Sequence, residues 1–325
     1  MQEQLFEQRV DLSKLSAAII EIRNEIGRVI VGQFKMVDLL MIGLLCDGHI
    51  LIEGVPGVAK TLTAKLMARI LDVDFSRLQF TPDLMPSDVL GTSVFNPKEA
   101  VFQFKAGPIF SNIILIDEIN RAPAKTQAAL FEVMEERQVT IDGITHLMNF
   151  PFLVLATQNP IEQEGTYRLP EAQLDRFLFK IDVKYPSLQE EISILTNQHA
   201  QTQLQLLHNV RKVLTARDIA EYRETISSIF IDPKLVSYIA QLVHETRSNP
   251  ALFLGASPRA SLAIMRASKA NAAIKGRDFV NPEDIIEMAA PVMRHRIILT
   301  PEKEMEGITP DELIETIIKN VEVPR

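Results

Sequence analysis

His49-Ile-Leu-Ile-Glu53-Gly54-Val-Pro-Gly57-Val-Ala59-Lys60-Thr61 runs from a short apolar segment through a glycine-bearing loop into the helical stretch Leu62–Leu71. Strand, loop and helix in that order are the context in which such a string binds phosphate. Loop N–H groups and the first turn of the helix are donors without intrahelical partners, and the helix dipole adds positive potential at the same end. An anion, here the β-phosphate of a nucleotide, is what they suit. Lys60 is placed to reach the β- and γ-phosphates, and Thr61 to offer a hydroxyl to Mg²⁺. Position 59 is alanine where the usual pattern has glycine; phosphate can still approach provided the backbone there has negative φ. The competing reading is a Gly-Pro turn ahead of a lysine-capped helix.

Three further stretches end in chemistry. Ile113-Ile-Leu-Ile116-Asp117-Glu118 is an apolar strand closing on two carboxylates. A buried strand delivers its last residues to the C-terminal edge of an open α/β sheet, where ligands bind. Asp117 is expected to hold Mg²⁺ through water and Glu118 to polarise the attacking water; alternatively the two acids simply open the next helix. Phe152-Leu-Val-Leu155-Ala-Thr157-Gln-Asn159 ends in amides, and Asn159 is the candidate for orienting water or touching the γ-phosphate, against a plain turn before Pro160. Asp175-Arg176-Phe177 puts an arginine where it can reach a neighbouring subunit's nucleotide, a role for which Arg168 and Arg121 compete and to which a surface salt bridge is the alternative. Ser257-Pro258-Arg259 places an arginine in the first turn of a later helix, from which it can bridge to the γ-phosphate.

Outward from these strings the chain has two textures. Leu12, Leu15, Ile19, Ile22, Ile26 and Val29 form one apolar stripe at helical spacing, and a second helix is expected over Phe34–Cys46. Strand-sized apolar runs follow at His49–Glu53, Arg77–Phe80, Asn112–Asp117, Phe150–Thr157 and Phe179–Val183, with helical segments between most of them. That is the pattern of a parallel sheet covered on both faces. Val139–Thr145 alternates around Asp142-Gly143, a hairpin signal, and Ser93–Phe95 with Val101–Phe104 forms a weaker one. Beyond Tyr185-Pro186 the reading is all helix. Ser187–Glu190 and Thr215–Asp218 resemble capping boxes, Asp232, Ser257, Asn281 and Thr309 each precede a proline, and Gly276 is a plausible stop. The expected fold is α/β, a phosphate-loop core with a parallel sheet over residues 1–186, followed by an all-helical domain over 187–325.

Composition narrows the partners. A formal net charge of −8 gives no general attraction to nucleic acid. The one cysteine, Cys46, lies in an apolar run and reads as a buried small hydrophobe in a reducing compartment. Met1–Arg9 lacks the pattern of a signal peptide and no run is long enough to span a bilayer, so the expected location is cytoplasmic.

Taken together the strings resemble those of the MoxR branch of the AAA+ ATPases. They are Gly54–Thr61, Phe80-Thr-Pro-Asp-Leu-Met-Pro-Ser-Asp88, Asp117-Glu-Ile-Asn-Arg-Ala122, Ala156-Thr-Gln-Asn-Pro160, Tyr167–Phe177 and Gly255-Ala-Ser-Pro-Arg259. The likeness runs from Val31-Gly32-Gln33 to the last helices, and alanine at position 59 is usual in that family. The resemblance implies that Gly54, Val55, Pro56, Gly57, Val58, Ala59, Lys60, Thr61 and Leu62 cradle ATP, with Lys60 and Thr61 the Walker A pair and Asp117 and Glu118 the Walker B pair. By the same likeness Asn159 is sensor 1, Arg176 the arginine finger and Arg259 sensor 2. Ile30, Val31, Gly32 and Gln33 lie by the adenine. Thr61 and Asp117 serve Mg²⁺. The hairpin at Phe95–Phe104 looks like the family's insertion into its second helix, and the one at Asp142-Gly143 like a hairpin that faces a ring pore. Such proteins form homo-oligomers, typically hexameric rings, and remodel or mature protein partners, often ones with a von Willebrand factor A domain. Two alternatives stand beside that reading: a nucleotide-gated binding module with negligible turnover, and a subunit of a metal-chelatase-type motor. A helicase is disfavoured because Gln138–Leu147 carries no lysine or arginine.

Overall fold

The structure, a computed structural model, describes residues 10–55, 59–159, 167, 169–200, 207 and 209–324. Two helices lead, α1 (Ser13–Gly27) and α2 (Phe34–Leu45). The α1 stripe is buried as its spacing requires: Leu15, Ile19, Ile22 and Ile26 are all within the core.

Among the described residues, five parallel strands form one sheet: β1 (His49–Gly54), β2 (Phe75–Gln79), β5 (Ile113–Asp117), β8 (Leu153–Gln158) and β9 (Phe177–Val183), in the order β2-β5-β8-β1-β9. Side chains alternate across a strand, and here both faces are apolar. Ile50, Ile113, Leu115, Leu153 and Leu155 pack on the side of α1, α2 and α3 (Lys60–Ile70). Leu51, Ile114, Ile116, Val154 and Ala156 pack on the side of α4 (Pro86–Leu90) and α5 (Ala124–Glu136). Two antiparallel hairpins project from this core, β3 (Gly91–Asn96) with β4 (Val101–Ala106), and β6 (Gln138–Ile141) with β7 (Ile144–Leu147). Ser93 Oγ donates to Asp142, and the Phe104 ring stacks on His146 at 4.2 Å between centroids, so the hairpins are joined to one another.

Strand boundaries differ from the sequence reading at both ends of β2 and β8 and at the start of β9. The Phe150-Pro151 segment stays outside β8, and the Pro151 carbonyl instead accepts a hydrogen bond from the Asn112 amide. β9 begins two residues early because Phe177 continues the pairing with His49.

The second half holds a short helix α6 (Glu171–Leu174) before β9 and then α7 (Leu188–Ala200), α8 (Ala216–Ser227), α9 (Pro233–Ser248), α10 (Pro258–Ile274), α11 (Pro282–Met293), α12 (Pro301–Met305) and α13 (Pro310–Asn320). The caps are where the sequence puts them: Thr215, Asn281 and Thr309 close capping boxes, and Asp232 and Ser257 accept first-turn N–H bonds. Gly276, at φ 75°, follows the end of α10. The expectation that this half is purely helical is corrected by a small antiparallel pair, β10 (Leu252–Leu254) with β11 (Ile298–Leu299); segments that short carry no periodicity to read. The apolar core also runs across residue 186, since Leu242, Ile264, Val292 and Ile314 share one cluster with α1, α2 and a face of the sheet. No helix among the described residues is long and apolar enough to cross a membrane.

Asp284 anchors the helical half. It is fully buried, takes both arms of Arg277 at 2.7 Å, accepts from Asn271 at 3.0 Å, and closes the α11 capping box. Deleting one partner of a buried pair costs about 3–5 kcal/mol. Arg277 keeps 24% of its side chain exposed and can rehydrate, so Asp284→Ala is expected at the lower end, about 3 kcal/mol, in urea denaturation.

Candidate nucleotide-binding site

The C-terminal edge of the sheet gathers the polar residues. β1 ends at Gly54, and α3 starts at Lys60; Pro56, Gly57 and Val58 lie outside the described residues. Lys60 Nζ donates to the Gly54 carbonyl at 2.6 Å. Its ammonium is half-buried, and burial pushes its pKa below the ordinary lysine value while Asp117, Glu53 and Glu118 draw it back up. Lys60 therefore stands near three carboxylates at the strand ends, each of which also has a cation of its own: Lys180 on Glu53, Arg77 on Asp117 and Arg121 on Glu118. Thr61 follows on the first turn of α3, and Leu62 and Val55 pack against the main core.

Ala59 departs from the condition set by its sequence. Its φ is 58° and ψ 18°, the left-handed region, not the negative φ that approach of a phosphate was expected to require. The chain has to turn sharply from loop into helix at this residue, and for an alanine that costs about 1–2 kcal/mol. The conformation is held by two bonds onto the Ala59 carbonyl, from Thr63 N at 2.9 Å and Thr63 Oγ1 at 3.0 Å.

Asp117 ends β5 almost buried. Its Oδ2 lies 2.6 Å from Arg77 Nε on the edge strand β2, and its Oδ1 accepts from Thr157 Oγ1 at 3.3 Å. Glu118 is also left-handed, φ 58° and ψ 53°, and its N–H donates to the same Thr157 hydroxyl at 3.0 Å. Strain of this sort in a non-glycine residue persists only where neighbours fix it. Here the hydroxyl accepts from the backbone of one acid and donates to the side chain of the other. The Glu118 carboxylate is held by Gln79 Nε2 at 2.8 Å and Arg121 Nε at 2.9 Å. Asn159 follows the end of β8, on the same edge.

The arginines are elsewhere. Arg176 immediately precedes β9, at the edge where the strands begin. There Arg176 Nη1 donates to the Phe131 carbonyl, and its Nε is 3.8 Å from Glu135 Oε2. Arg259 Nη2 is 3.2 Å from Glu135 Oε1. Glu135 belongs to the C-terminal turn of α5, whose Met134 carbonyl accepts from the His49 ring at the first residue of β1. β1 separates this edge from Gly54, roughly 17 Å at strand rise. The structure thus brings Arg259 to Arg176 and not to Lys60. Arg121, a competitor for the role of reaching a neighbour, sits on its own chain's Glu118; Arg168 lies outside the described residues.

Ile30 is buried, and Gly32 and Gln33 are both left-handed, Gln33 at the position just before α2. A Cβ on Gly32 would stand 2.1 Å from Glu190 Oε1 on α7, so glycine lets the loop with Val31 press against the start of the helical half.

Comparison with known proteins agrees with this layout. Residues 49–179 match the ATPase family associated with various cellular activities (AAA), and residues 244–317 match the AAA lid domain. Chaperone MoxR1 of Mycobacterium tuberculosis is 44% identical, over 97% of this chain and 84% of its own length. The Bacillus subtilis protein YeaC is 44% identical over 97% of this chain and 96% of its own, and protein MoxR of Paracoccus denitrificans 31% identical over 97% and 98%. The chain belongs to the MoxR family of AAA+ ATPases. A crystal structure of a proposed ATPase from Cytophaga hutchinsonii superposes with a TM-score of 0.88 at 45% identity, covering 95% of this chain and 96% of that one.

In this MoxR protein the candidate nucleotide edge carries more than its motif strings name. Arg77, Gln79 and Thr157 bond directly to the paired acids, and Glu135 joins the two arginines. β2 alternates an apolar Leu78 with Arg77 and Gln79 on an edge strand whose register sets Gln79 opposite Asp117; that polar alternation was the available signal. Thr157→Val, which keeps the shape and removes the hydroxyl, leaves the Glu118 N–H unpaired. Phosphate release is expected to fall about tenfold, the equivalent of 1.4 kcal/mol, with nucleotide affinity within threefold of wild type, as read from steady-state kinetics and fluorescent-nucleotide titration.

Proposed function

We propose that this MoxR protein hydrolyses ATP with Mg²⁺ and, as a ring of identical subunits, uses the cycle to remodel or mature a protein partner. The gathering of Lys60, Asp117 and Glu118 at the ends of β1 and β5 carries the reading. Lys60 binds the β- and γ-phosphates at the N-terminus of α3. Thr61 would hold Mg²⁺ by its hydroxyl and Asp117 by its carboxylate through water, hard oxygen groups of the kind that Mg²⁺ prefers. Bound there, the ion would neutralise charge on the β- and γ-oxygens. Glu118 orients the attacking water once its carboxylate leaves Gln79 and Arg121, and Asn159 holds the γ-phosphate side.

Arg176 and Arg259, some 17 Å from their own phosphate loop by strand rise, are assigned to the nucleotide of the adjoining subunit, where a guanidinium supplied in trans stabilises the transferring phosphoryl group. A closed ring, six-membered by family habit, is the assembly in which every subunit supplies that edge to the next. The relative named a chaperone supports a protein as the substrate, and the family likeness points to partners with a von Willebrand factor A domain. The net charge of −8 and a β6–β7 hairpin without lysine or arginine favour protein over nucleic acid. The single cysteine fits the cytoplasm as the compartment.

The alternative of a nucleotide-gated binder is favoured by one observation, that Glu118 is engaged by Gln79 and Arg121. Glu118→Gln separates the two. Loss of the water-orienting carboxylate is expected to lower phosphate release by about 10² or more while nucleotide binding stays within threefold. Equal, near-zero release by wild type and variant would assign the chain to the switch class.

A further inference from the structure

The buried Arg296 and the half-buried Asp175 form a joint immediately behind Arg176. Arg296 is 8% exposed and comes from the turn after α11, in the helical half. Its Nε donates to Asp175 Oδ1 at 2.7 Å, and its Nη2 to the carbonyls of Asp175 at 3.1 Å and Phe177 at 2.5 Å. Nη1 reaches the Leu178 carbonyl at 3.1 Å and the Val292 carbonyl of α11. The preceding residue, His295, sets its ring Nε2 3.0 Å from the same Phe177 carbonyl. A carbonyl only accepts, so Nε2 carries the proton. The backbone on both sides of Arg176 is therefore gripped from one element of the other half of the molecule.

The second carboxylate oxygen of Asp175 extends the grip. Oδ2 accepts from Ser257 Oγ at 3.0 Å, and Ser257 caps α10 by accepting from the N–H of Arg259. One carboxylate thus ties the residue before Arg176 to the residue that fixes the helix start of Arg259. Planar guanidinium forks fix orientation as well as distance, and a buried guanidinium whose three nitrogens all donate has few alternative arrangements.

We infer that Asp175 and Arg296 are positioning residues that hold Arg176 and Arg259 as one rigid unit and transmit the angle of the helical half to both. The inference rests on the reading that these arginines serve the adjoining subunit's nucleotide. The joint touches no nucleotide. Its contribution lies in the placement of guanidinium groups whose effect falls steeply with misplacement of the order of 1 Å.

Asp175→Asn tests it, since the amide keeps volume and can still accept from Ser257 while losing the charge that Arg296 requires. Phosphate release is expected to drop about tenfold or more, with KM for ATP and fluorescent-nucleotide affinity within twofold, because the subunit's own Lys60 edge is intact. Ser257→Gly is the milder companion: it removes the bond to Asp175 together with the side-chain cap on the Arg259 N–H, and because glycine is itself a tolerated cap the expected decrease is threefold to fivefold. The deciding measurement is complementation. Asp175→Asn is co-expressed with Lys60→Ala under different tags, and complexes holding both are isolated by sequential affinity steps. An Arg176→Ala and Lys60→Ala pair is prepared alongside. Recovery of turnover in both mixed complexes, above either variant alone, supports the joint. Wild-type turnover by Asp175→Asn alone overturns it. So does recovery in the Arg176 pair without recovery in the Asp175 pair, which would make Asp175 a folding residue of its own subunit. Absence of recovery in the Arg176 pair removes the trans reading itself, and the inference with it.

Discussion

Burial of both faces of the parallel sheet governs where polar chemistry can sit. With Ile50, Ile114, Leu115 and Leu155 all inaccessible to solvent, the interior of the sheet has no room for an unpaired charge, and the strand ends become the places where ionisable groups meet water. Parallel strands have two unlike ends. At one, β1, β5 and β8 deliver Gly54, Asp117 and Thr157, and α3 brings Lys60. At the other, β9 starts from Arg176 beside the last turn of α5. Because all strands point the same way, the two sets of residues are held apart by a full strand length. The geometry that gathers the proposed phosphate site at one edge thereby offers arginines to whatever lies beyond the other.

The helical half is attached to this frame by charge as well as by apolar surface. α10 packs on α1 and α2, and α11 on β9, which fixes the contact broadly but not its angle. Direction comes from groups with demanding geometry: Arg296 on Asp175, Ser257 on Asp175, and Arg277 with Asn271 on Asp284 within the half. Burial lowers the pKa of Arg296 below the ordinary guanidinium value, and Asp175 opposes that. His295, buried and next to Arg296, is pushed well below the ordinary imidazole value and stays neutral, which preserves the single N–H that it gives to Phe177. Charged and neutral donors in adjacent positions converge on one short stretch of backbone.

Much of this was readable in the chain. The sheet strands announce themselves as apolar runs because each is covered on both sides; the β6–β7 hairpin does so through Asp142-Gly143, both left-handed in the structure. Ser, Thr, Asn and Asp ahead of proline mark helix starts by the bond that each makes. The contacts that complete the site were not readable for a physical reason: they follow from strand register and from helix direction. Arg77 meets Asp117 only because β2 pairs with β5 in one register, and a residue's slip would turn it to the other face. Glu135 reads as an exposed helical acid, and it becomes the shared anion of Arg176 and Arg259 only once α5 runs antiparallel to the strands. The left-handed backbone at Ala59 was likewise hidden, since alanine carries no preference for it.

On the proposed reading, the pairing of charges around Glu118 gives a reason for a neighbour to take part. Two of the cations at the nucleotide edge, Arg77 and Arg121, already stand on Asp117 and Glu118. Moving either toward a γ-phosphate would strip an acid of its partner and weaken the groups proposed to hold metal and water. Lys60 is the cation that the loop itself supplies, and one ammonium spreads little charge over three equatorial oxygens. On the proposed reading the missing positive charge comes from Arg176 and Arg259, whose counter-ion Glu135 is 40% exposed and shared between them. A shared, solvated counter-ion is a weak hold. Exchanging it for a phosphate costs little, which is what a cationic edge that engages and releases a neighbour's nucleotide in each cycle requires.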